Sequence, residues 1–368
     1  MRRSPLGLVL LLACGGDKAG GDDTSGEGSA MSVLTWNVGL AYGFVPYSPE
    51  RQPAVVEAVA ALDADVVCLN EVWTEADITA ITEAAAATFP HHAVEMTLEE
   101  GASGEPACTP EEAEPLKVCA ESNCADTDDL TGCVLTFCAA EFDALSDTCT
   151  ACAAANIGLN DVDAILEVCT SGSGTFSWGG HNGLLMLSRL PMAEVTYTTM
   201  DSWLVQRGLL AATVDGVEVG CTHLAAELTV PAYGGATYAS YSEENAAQMA
   251  QVLATLEGRP GDKRVLLGDL NAGPAAGSLS AELPESWALA SGWSDPNVDS
   301  AAPFCTWCVE NPLTGALADL AIDHVLVQGM AAREASRIGD APITVTGADG
   351  EATVALSDHY GLRAVVEY

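Results

Sequence analysis

Five short apolar runs, spread over the whole chain, each end on a polar side chain, and this constrains the fold more than any other feature. Residues 33–37 close on Asn37 and residues 65–71 close on Glu71. Residues 217–223 deliver His223, and the stretch Val-Leu-Leu-Gly-Asp-Leu-Asn-Ala-Gly at 265–273 presents Asp269 and Asn271. The fifth run, Ala-Leu-Ser-Asp-His at 355–359, sets Asp358 and His359 just before a last apolar strand at 361–368. Runs of this length read as buried strands, so the pattern asks for sheets whose ends meet in one place. The period of two along a strand predicts that Asp269 and Asn271 point the same way, with Gly268 permitting a sharp turn. One such ending is ordinarily a turn or a cap. Five together, carrying amides, carboxylates and imidazoles, point to a site. A carboxylate can hold a hard cation or take a proton, and an amide can donate to a phosphoryl oxygen.

The order of these segments resembles the endonuclease/exonuclease/phosphatase superfamily, the DNase I-like phosphodiesterases. The resemblance is carried by TWNVG at 35–39, LNEVW at 69–73, NGLLMLSRLP at 182–191, THLAAE at 222–227, GDLNAGP at 268–274, IDHVLV at 322–327 and SDHYGL at 357–362. It covers roughly residues 31–368, apart from an interruption at 99–173. It implies a four-layer α/β/β/α sandwich of two packed mixed sheets flanked by helices. It also implies a phosphodiesterase using magnesium, or manganese or calcium, to assist in-line attack of water.

Each polar residue then takes an expected role. Glu71 is the leading metal ligand, because an ionised carboxylate ending a buried strand needs a positive partner. By resemblance Asn37 assists at the same ion, and Asp358 reaches that ion or a second one. His359 is the expected general base, with Asp323 fixing its tautomer. His223 donates to the phosphoryl or leaving oxygen, while Asp269 and Asn271 orient the attacking water and grip the phosphate. Arg207, beside a glycine at a strand start, is read either as a contact to the substrate phosphate or as a surface salt bridge. His181 and His324 neighbour motif residues and are read as structural. His91 and His92 follow Pro90 and are read as a solvated loop.

THLAAE, the segment at 306–313 and SDHYGL look nearest to neutral sphingomyelinase-like members, which implies a phospholipid head group as the substrate. Aromatic residues at 228–241 and 293–307 would suit a membrane-surface substrate, or simply pack in loops. A DNase I-like nuclease is the alternative, and a non-catalytic surface binding protein on the same fold is a third. Composition bears on that choice. With 13 basic and 52 acidic residues the net charge is −39, and only three residues are lysine. A protein that grips nucleic acid by its phosphates usually shows a basic patch, and none is visible here.

Two further features concern export. Residues 1–14 combine a charged start with a short apolar stretch, and LLAC at 11–14 resembles a bacterial lipobox. This implies a lipoprotein signal peptide, a lipid anchor on Cys14 in the membrane, and an exported protein on the cell envelope or outside the cell. Residues 15–30 read as a flexible Gly/Asp/Ser tether. Eight of the 13 cysteines lie between 108 and 169, which reads as a disulfide-stapled helical insertion at 99–173, with zinc binding as the rival. Cys305 and Cys308 form a candidate local pair. Cys68 and Cys221, within apolar strand patterns, read as buried thiols. Outside the insertion, helices are expected at about 50–62, 75–88 and 243–257.

Overall fold

The computed structural model describes residues 29–42, 44–94, 106–125, 127, 130–156, 161–171, 182–229, 232–347 and 350–368. The signal segment with Cys14, nearly all of the tether, His181 and both ends of the 99–173 stretch lie outside the described residues. The chain opens with β1 (Ala30–Asn37), α1 (Ser48–Ala60), β2 (Val66–Asn70), α2 (Glu75–Ala85) and β3 (His91–Val94). Five short helices follow: α3 (Pro110–Asn123), α4 (Leu130–Phe137), α5 (Ala139–Phe142), α6 (Asp147–Ala155) and α7 (Val162–Thr170). Next come β4 (Leu185–Ser188), β5 (Met192–Met200), β6 (Arg207–Val214), β7 (Val217–His223), α8 (Tyr241–Glu257), β8 (Arg264–Asp269) and α9 (Pro284–Ala288). The chain closes with β9 (Asp323–Gln328), β10 (Ala331–Ile338), β11 (Ile343–Gly347), β12 (Gly350–Val354) and β13 (Gly361–Glu367).

Six strands form one sheet in the order β10-β13-β1-β2-β4-β3, and five form a second, β5-β6-β7-β8-β9. The inner faces meet in a core that includes Val33, Val66, Met186, Val219, Val265 and Val325. The outer face of the first sheet packs Leu34, Trp36 and Leu69 against Val55 and Val59 of α1 and Ile81 of α2. The outer face of the second packs Leu209, Leu266 and Leu326 against Met249, Val252 and Leu256 of α8. Central strands buried on both faces must be apolar throughout, which is why they read as unbroken runs. The result is the expected four-layer sandwich.

Register explains why the site lies at one edge. β1 and β2 run parallel, as do β7 and β8, so Asn37 pairs with Asn70 and His223 with Asp269. β9 is antiparallel to β8 and begins where β8 ends, pairing Asp323 with Asp269. β13 starts beside the end of β1, with Leu362 opposite Thr35. Ends of parallel strands and starts of antiparallel ones therefore share one rim.

Several expectations need correction. Cys68 and Cys221 are not thiols: they form a disulfide between β2 and β7, hence between the two sheets. Each lies in an apolar run 153 residues from the other, so only the stacking of the sheets pairs them. His91 and His92 belong to edge strand β3, hydrogen-bonded to β4, rather than to a loop. Gly268 lies inside β8 instead of making a turn. A Cβ there would lie 2.0 Å from the carbonyl oxygen of Thr222, so glycine permits close strand approach.

Among its described residues the insertion holds five helices around its own small core, with Leu116, Leu130, Ile165 and Leu166 buried. Four disulfides staple it: Cys108–Cys149, Cys119–Cys138, Cys124–Cys133 and Cys152–Cys169. Cys149 and Cys152 are both oxidised, which removes the zinc reading. Cys305 and Cys308 pair locally as expected. Among the described residues, no helix is long and apolar enough to cross a membrane.

Candidate active site

Two buried amides join the sheets at the shared rim. Asn37 donates through Nδ2 to Glu71 Oε1 and to Asp269 Oδ2, each at 3.0 Å, and its Oδ1 accepts from the Gly39 N–H. Asn70 donates to the Thr222 carbonyl at 2.9 Å and accepts from the Asp269 N–H at 3.1 Å. One residue after its strand, Glu71 takes a left-handed backbone conformation (φ 59°), and Asn271 does the same two residues after β8 (φ 47°). Asparagine tolerates this region, whereas a glutamate there stores about 1–3 kcal/mol of strain. The expectation that Asp269 and Asn271 share a strand face therefore fails, since β8 ends at Asp269. Asn271 instead donates its N–H to Asp269 Oδ1 and its amide to the Leu224 carbonyl. Both still line the same cavity.

The Ser357-Asp358-His359 segment is held from several sides. Ser357 Oγ donates to the Asn37 carbonyl at 2.8 Å, and Trp36 Nε1 donates to the His359 carbonyl at 3.2 Å. Asp358 Oδ1 abuts Gly39, where φ is +55° and a Cβ would stand 2.3 Å from that oxygen. His359 Nδ1 meets Asp323 Oδ2 at 2.8 Å, and its ring stands edge-on to Trp307 at 4.7 Å between centroids. Asp323 is fixed in turn by its own N–H, which donates to Thr306 Oγ1. Across the rim, His223 Nε2 lies 3.4 Å from Asp269 Oδ2, and His359 Nε2 lies 3.8 Å from the same oxygen. Two imidazoles thus flank one carboxylate.

Burial and crowding set the charges. Burial and then the neighbouring Asp358 push the Glu71 carboxyl up to about 7. Burial and then Asp323 raise Asp269 to about 6. Burial alone would lower His359, but Asp323, Asp269 and Asp358 outweigh it and hold the imidazole well above its ordinary value. His223 moves the other way, well below its ordinary value, through burial, Arg207 and His359. The carboxylates around His359 favour its charged form, while burial, Arg207 and His359 disfavour a charge on His223.

The donor set fits a hard divalent cation. Glu71 Oε2 is buried without a hydrogen-bond partner among the described residues, and Asp358 raises its carboxyl by repulsion. Such carboxylate oxygens, with no sulfur among them, suit magnesium, manganese or calcium. Ligand atoms of Asp269, Asp323 and His359 also lie within 4.8 Å of one another. A second such group, around Cys305 and Cys308, offers no thiolate because those sulfurs are bonded to each other.

Of the nine residues expected from sequence, all but Asn37 and Asp323 line one cavity of about 470 Å³, and those two brace it from behind. Arg207 is buried and lines this cavity, so the surface salt bridge does not hold; its Nη1 has no hydrogen bond among the described residues. His324 bridges Asp295 Oδ2 at 2.7 Å and the Ala272 carbonyl at 2.9 Å, bracing the loop after Asp269. Sequence reasoning gave no site role to Asn70, Thr306 or Arg51, the last of which donates to the Gly39 and Leu356 carbonyls, and it read Trp307 only among the aromatics at 293–307, whereas its ring stands against His359. Asn70 carried a signal, a polar residue inside an apolar strand. Arg51 carried none.

The Endonuclease/Exonuclease/phosphatase family model matches residues 34–359. No curated protein matches the sequence. Among solved structures, sphingomyelinase C from Streptomyces griseocarneus is similar at TM-score 0.54 and 17% identity, covering 92% of this chain and 99% of that one. SmcL gives 0.54 at 13% identity, covering 92% and 99%. Beta toxin from Staphylococcus aureus, solved with bound magnesium ions, gives 0.53 at 13% identity, covering 91% and 99%. At these identities the likeness is one of fold.

Proposed function

The chain belongs to the endonuclease/exonuclease/phosphatase family and is a phosphoric ester hydrolase, and from that premise we propose a divalent-metal-dependent phosphodiesterase acting on phospholipid-like head groups. The observation that carries the reading is the cavity in which His223 and His359 flank Asp269 beside Glu71 and Asp358. Glu71, steadied by Asn37, and Asp358, bonded by Ser357 Oγ, are the residues that would hold the cation. When bound, the cation supplies positive charge against the phosphoryl and leaving oxygens, and it weakens the field that keeps a proton on His359. Asp323 accepts from His359 Nδ1 and leaves Nε2 facing the cavity, the geometry of a base for water. His223, neutral at physiological pH, can donate an N–H to the phosphoryl or leaving oxygen. Arg207 supplies a fixed positive charge for the phosphate, and Asn271 and Asp269 orient the reactants.

Head groups are favoured over nucleic acid on charge. Arg207 is the only lysine or arginine among the described residues lining the cavity, against six acidic ones. A nucleic-acid backbone needs several cations along its track. The named activity of sphingomyelinase C, similar in fold, supports the same substrate class.

The test incubates the protein with magnesium, or with EDTA, against bis-p-nitrophenyl phosphate, sphingomyelin vesicles and plasmid DNA. Magnesium-dependent release from the first two is expected; plasmid cutting without lipid hydrolysis would replace the head-group assignment with a nuclease. His223→Ala and His359→Ala are each expected to lower turnover by roughly 10²–10⁴ with the fold retained. Near-normal turnover in either removes that histidine from its role. The six disulfides support export from the cytosol. Anchoring through Cys14 predicts radioactive palmitate labelling that disappears in Cys14→Ser.

A further inference from the structure

The cavity that holds the catalytic groups is not closed by the sandwich alone. Its lining sets the polar groups of the site, among them Glu71, His223 and His359, beside a larger number of apolar side chains. Part of the apolar lining, including Trp73 and Val205, comes from loops of the sandwich, and the rest comes largely from the insertion, through α3, α4, α5, α6 and α7. Among the insertion residues in that lining are Leu135, Phe142 and Ile165. The insertion has its own core and four disulfides, so it keeps this concave face instead of collapsing onto the site. At the rim, Phe44 and Leu135 line the cavity and are also 57% and 41% exposed. The apolar wall therefore reaches the surface, and a chain can enter from outside. A volume of about 470 Å³ lies within the range of small-molecule sites, roughly 300–1,000 Å³.

We propose that the insertion is a tail-binding wall: the substrate is a phosphodiester bearing an alkyl or acyl chain, and that chain lies between the insertion and the sandwich while the phosphate sits at His223 and His359. This rests on the phosphodiesterase reading above and adds the part of the substrate that leaves the membrane or micelle. Occupancy by a hydrocarbon follows from the shape of the site. A polar sugar or a nucleobase would leave its hydrogen-bonding groups unpaired against Leu135, Phe142 and Ile165, whereas a methylene chain leaves none.

The experiment uses soluble alkyl p-nitrophenyl phosphates with alkyl groups from methyl to octyl, kept below their aggregation limits, with magnesium present. Each methylene entering the apolar wall is expected to raise kcat/KM roughly fourfold. Leu135→Asp sets a charge on that wall and is expected to cut the octyl-to-methyl ratio of kcat/KM by roughly tenfold or more. Val118→Asp, on an exposed part of α3 that does not line the cavity, should leave both the ratio and the activity unchanged. A wild-type rate that is the same for methyl and octyl esters would overturn the proposal, and so would a steep chain-length dependence that Leu135→Asp leaves intact. In the flat case the wall serves another occupant, such as an apolar stretch of a protein partner. Absence of hydrolysis of every ester, methyl included, would instead strike at the phosphodiesterase reading itself.

Discussion

Glu71 concentrates the site's physics in one residue. It sits in a left-handed conformation disfavoured for glutamate, buried, with one carboxylate oxygen unpaired among the described residues and Asp358 close enough to repel it. Its carboxyl is raised from the ordinary 4.5 to about 7. A group raised on folding contributes stability that is whole below its unfolded value and is lost as pH rises through its folded value. For Glu71 the loss falls between about 4.5 and 7, and in the cation-free protein it is complete above that window. Glu71→Gln keeps the shape without the charge. Its advantage in melting temperature over the wild type should therefore grow from about pH 5.5 to about pH 7.5. His223, lowered on folding, acts in the opposite sense, so comparing the two proteins is what isolates Glu71. The same substitution should abolish the rise in melting temperature that magnesium gives the wild type, because binding stabilises only a protein that binds. A rise that persists in Glu71→Gln would take Glu71 out of the cation site.

At the scale of elements, α8 shows how a helix can hold a site it does not enter chemically. Its buried face carries Met249, Val252, Leu253 and Leu256, while its first turns bury polar residues, Glu244, Asn245 and Gln248. Asn245 donates to the Ala225 and Leu270 carbonyls, and Gln248 Oε1 accepts from the Ala225 N–H. Those backbone groups belong to the loop that follows His223 and to the one that carries Asn271. Helix α1 does the same on the other sheet through Arg51, which donates to Gly39 and Leu356. Asn245→Leu should destabilise the protein by about 1–3 kcal/mol, since two buried carbonyls lose their donor. It should also lower kcat, because both loops are released together. Thermal melting and turnover, measured on the same preparation, check this; lost stability with intact kcat would restrict α8 to a structural part.

Across the whole molecule, the two sheets are fastened to each other at the rim that carries the chemistry. Asn37 and Asn70 cross between them there, and Cys68–Cys221 crosses within the core two residues further in. By the chain-entropy argument, a cross-link closing so long a loop stabilises by roughly 4–5 kcal/mol. Replacing both cysteines by alanine should therefore lower the unfolding free energy in guanidinium by several kcal/mol, and an unchanged midpoint would show that the bridge constrains nothing. This bridge was illegible in the sequence because each cysteine lies in an ordinary apolar strand, whereas Cys305 and Cys308, three apart, were legible from spacing alone. Strands β3, β10 and β11 were missed for a related reason: they are edge or hairpin strands, for the most part not buried, without an apolar run to mark them. Polar residues that end buried strands could be read directly, since few residue types serve phosphate and metal chemistry and burial makes their presence conspicuous. So the sandwich, through the family that the ordered motifs resemble, and the set of candidate site residues were legible in the chain's own pattern. Which backbone groups Arg51, Asn245 and Thr306 hold, which cysteines meet across the sheets, and that the insertion walls the cavity were decided only by tertiary structure. Those contacts join residues distant in sequence through hydrogen bonds and packing that impose no local period.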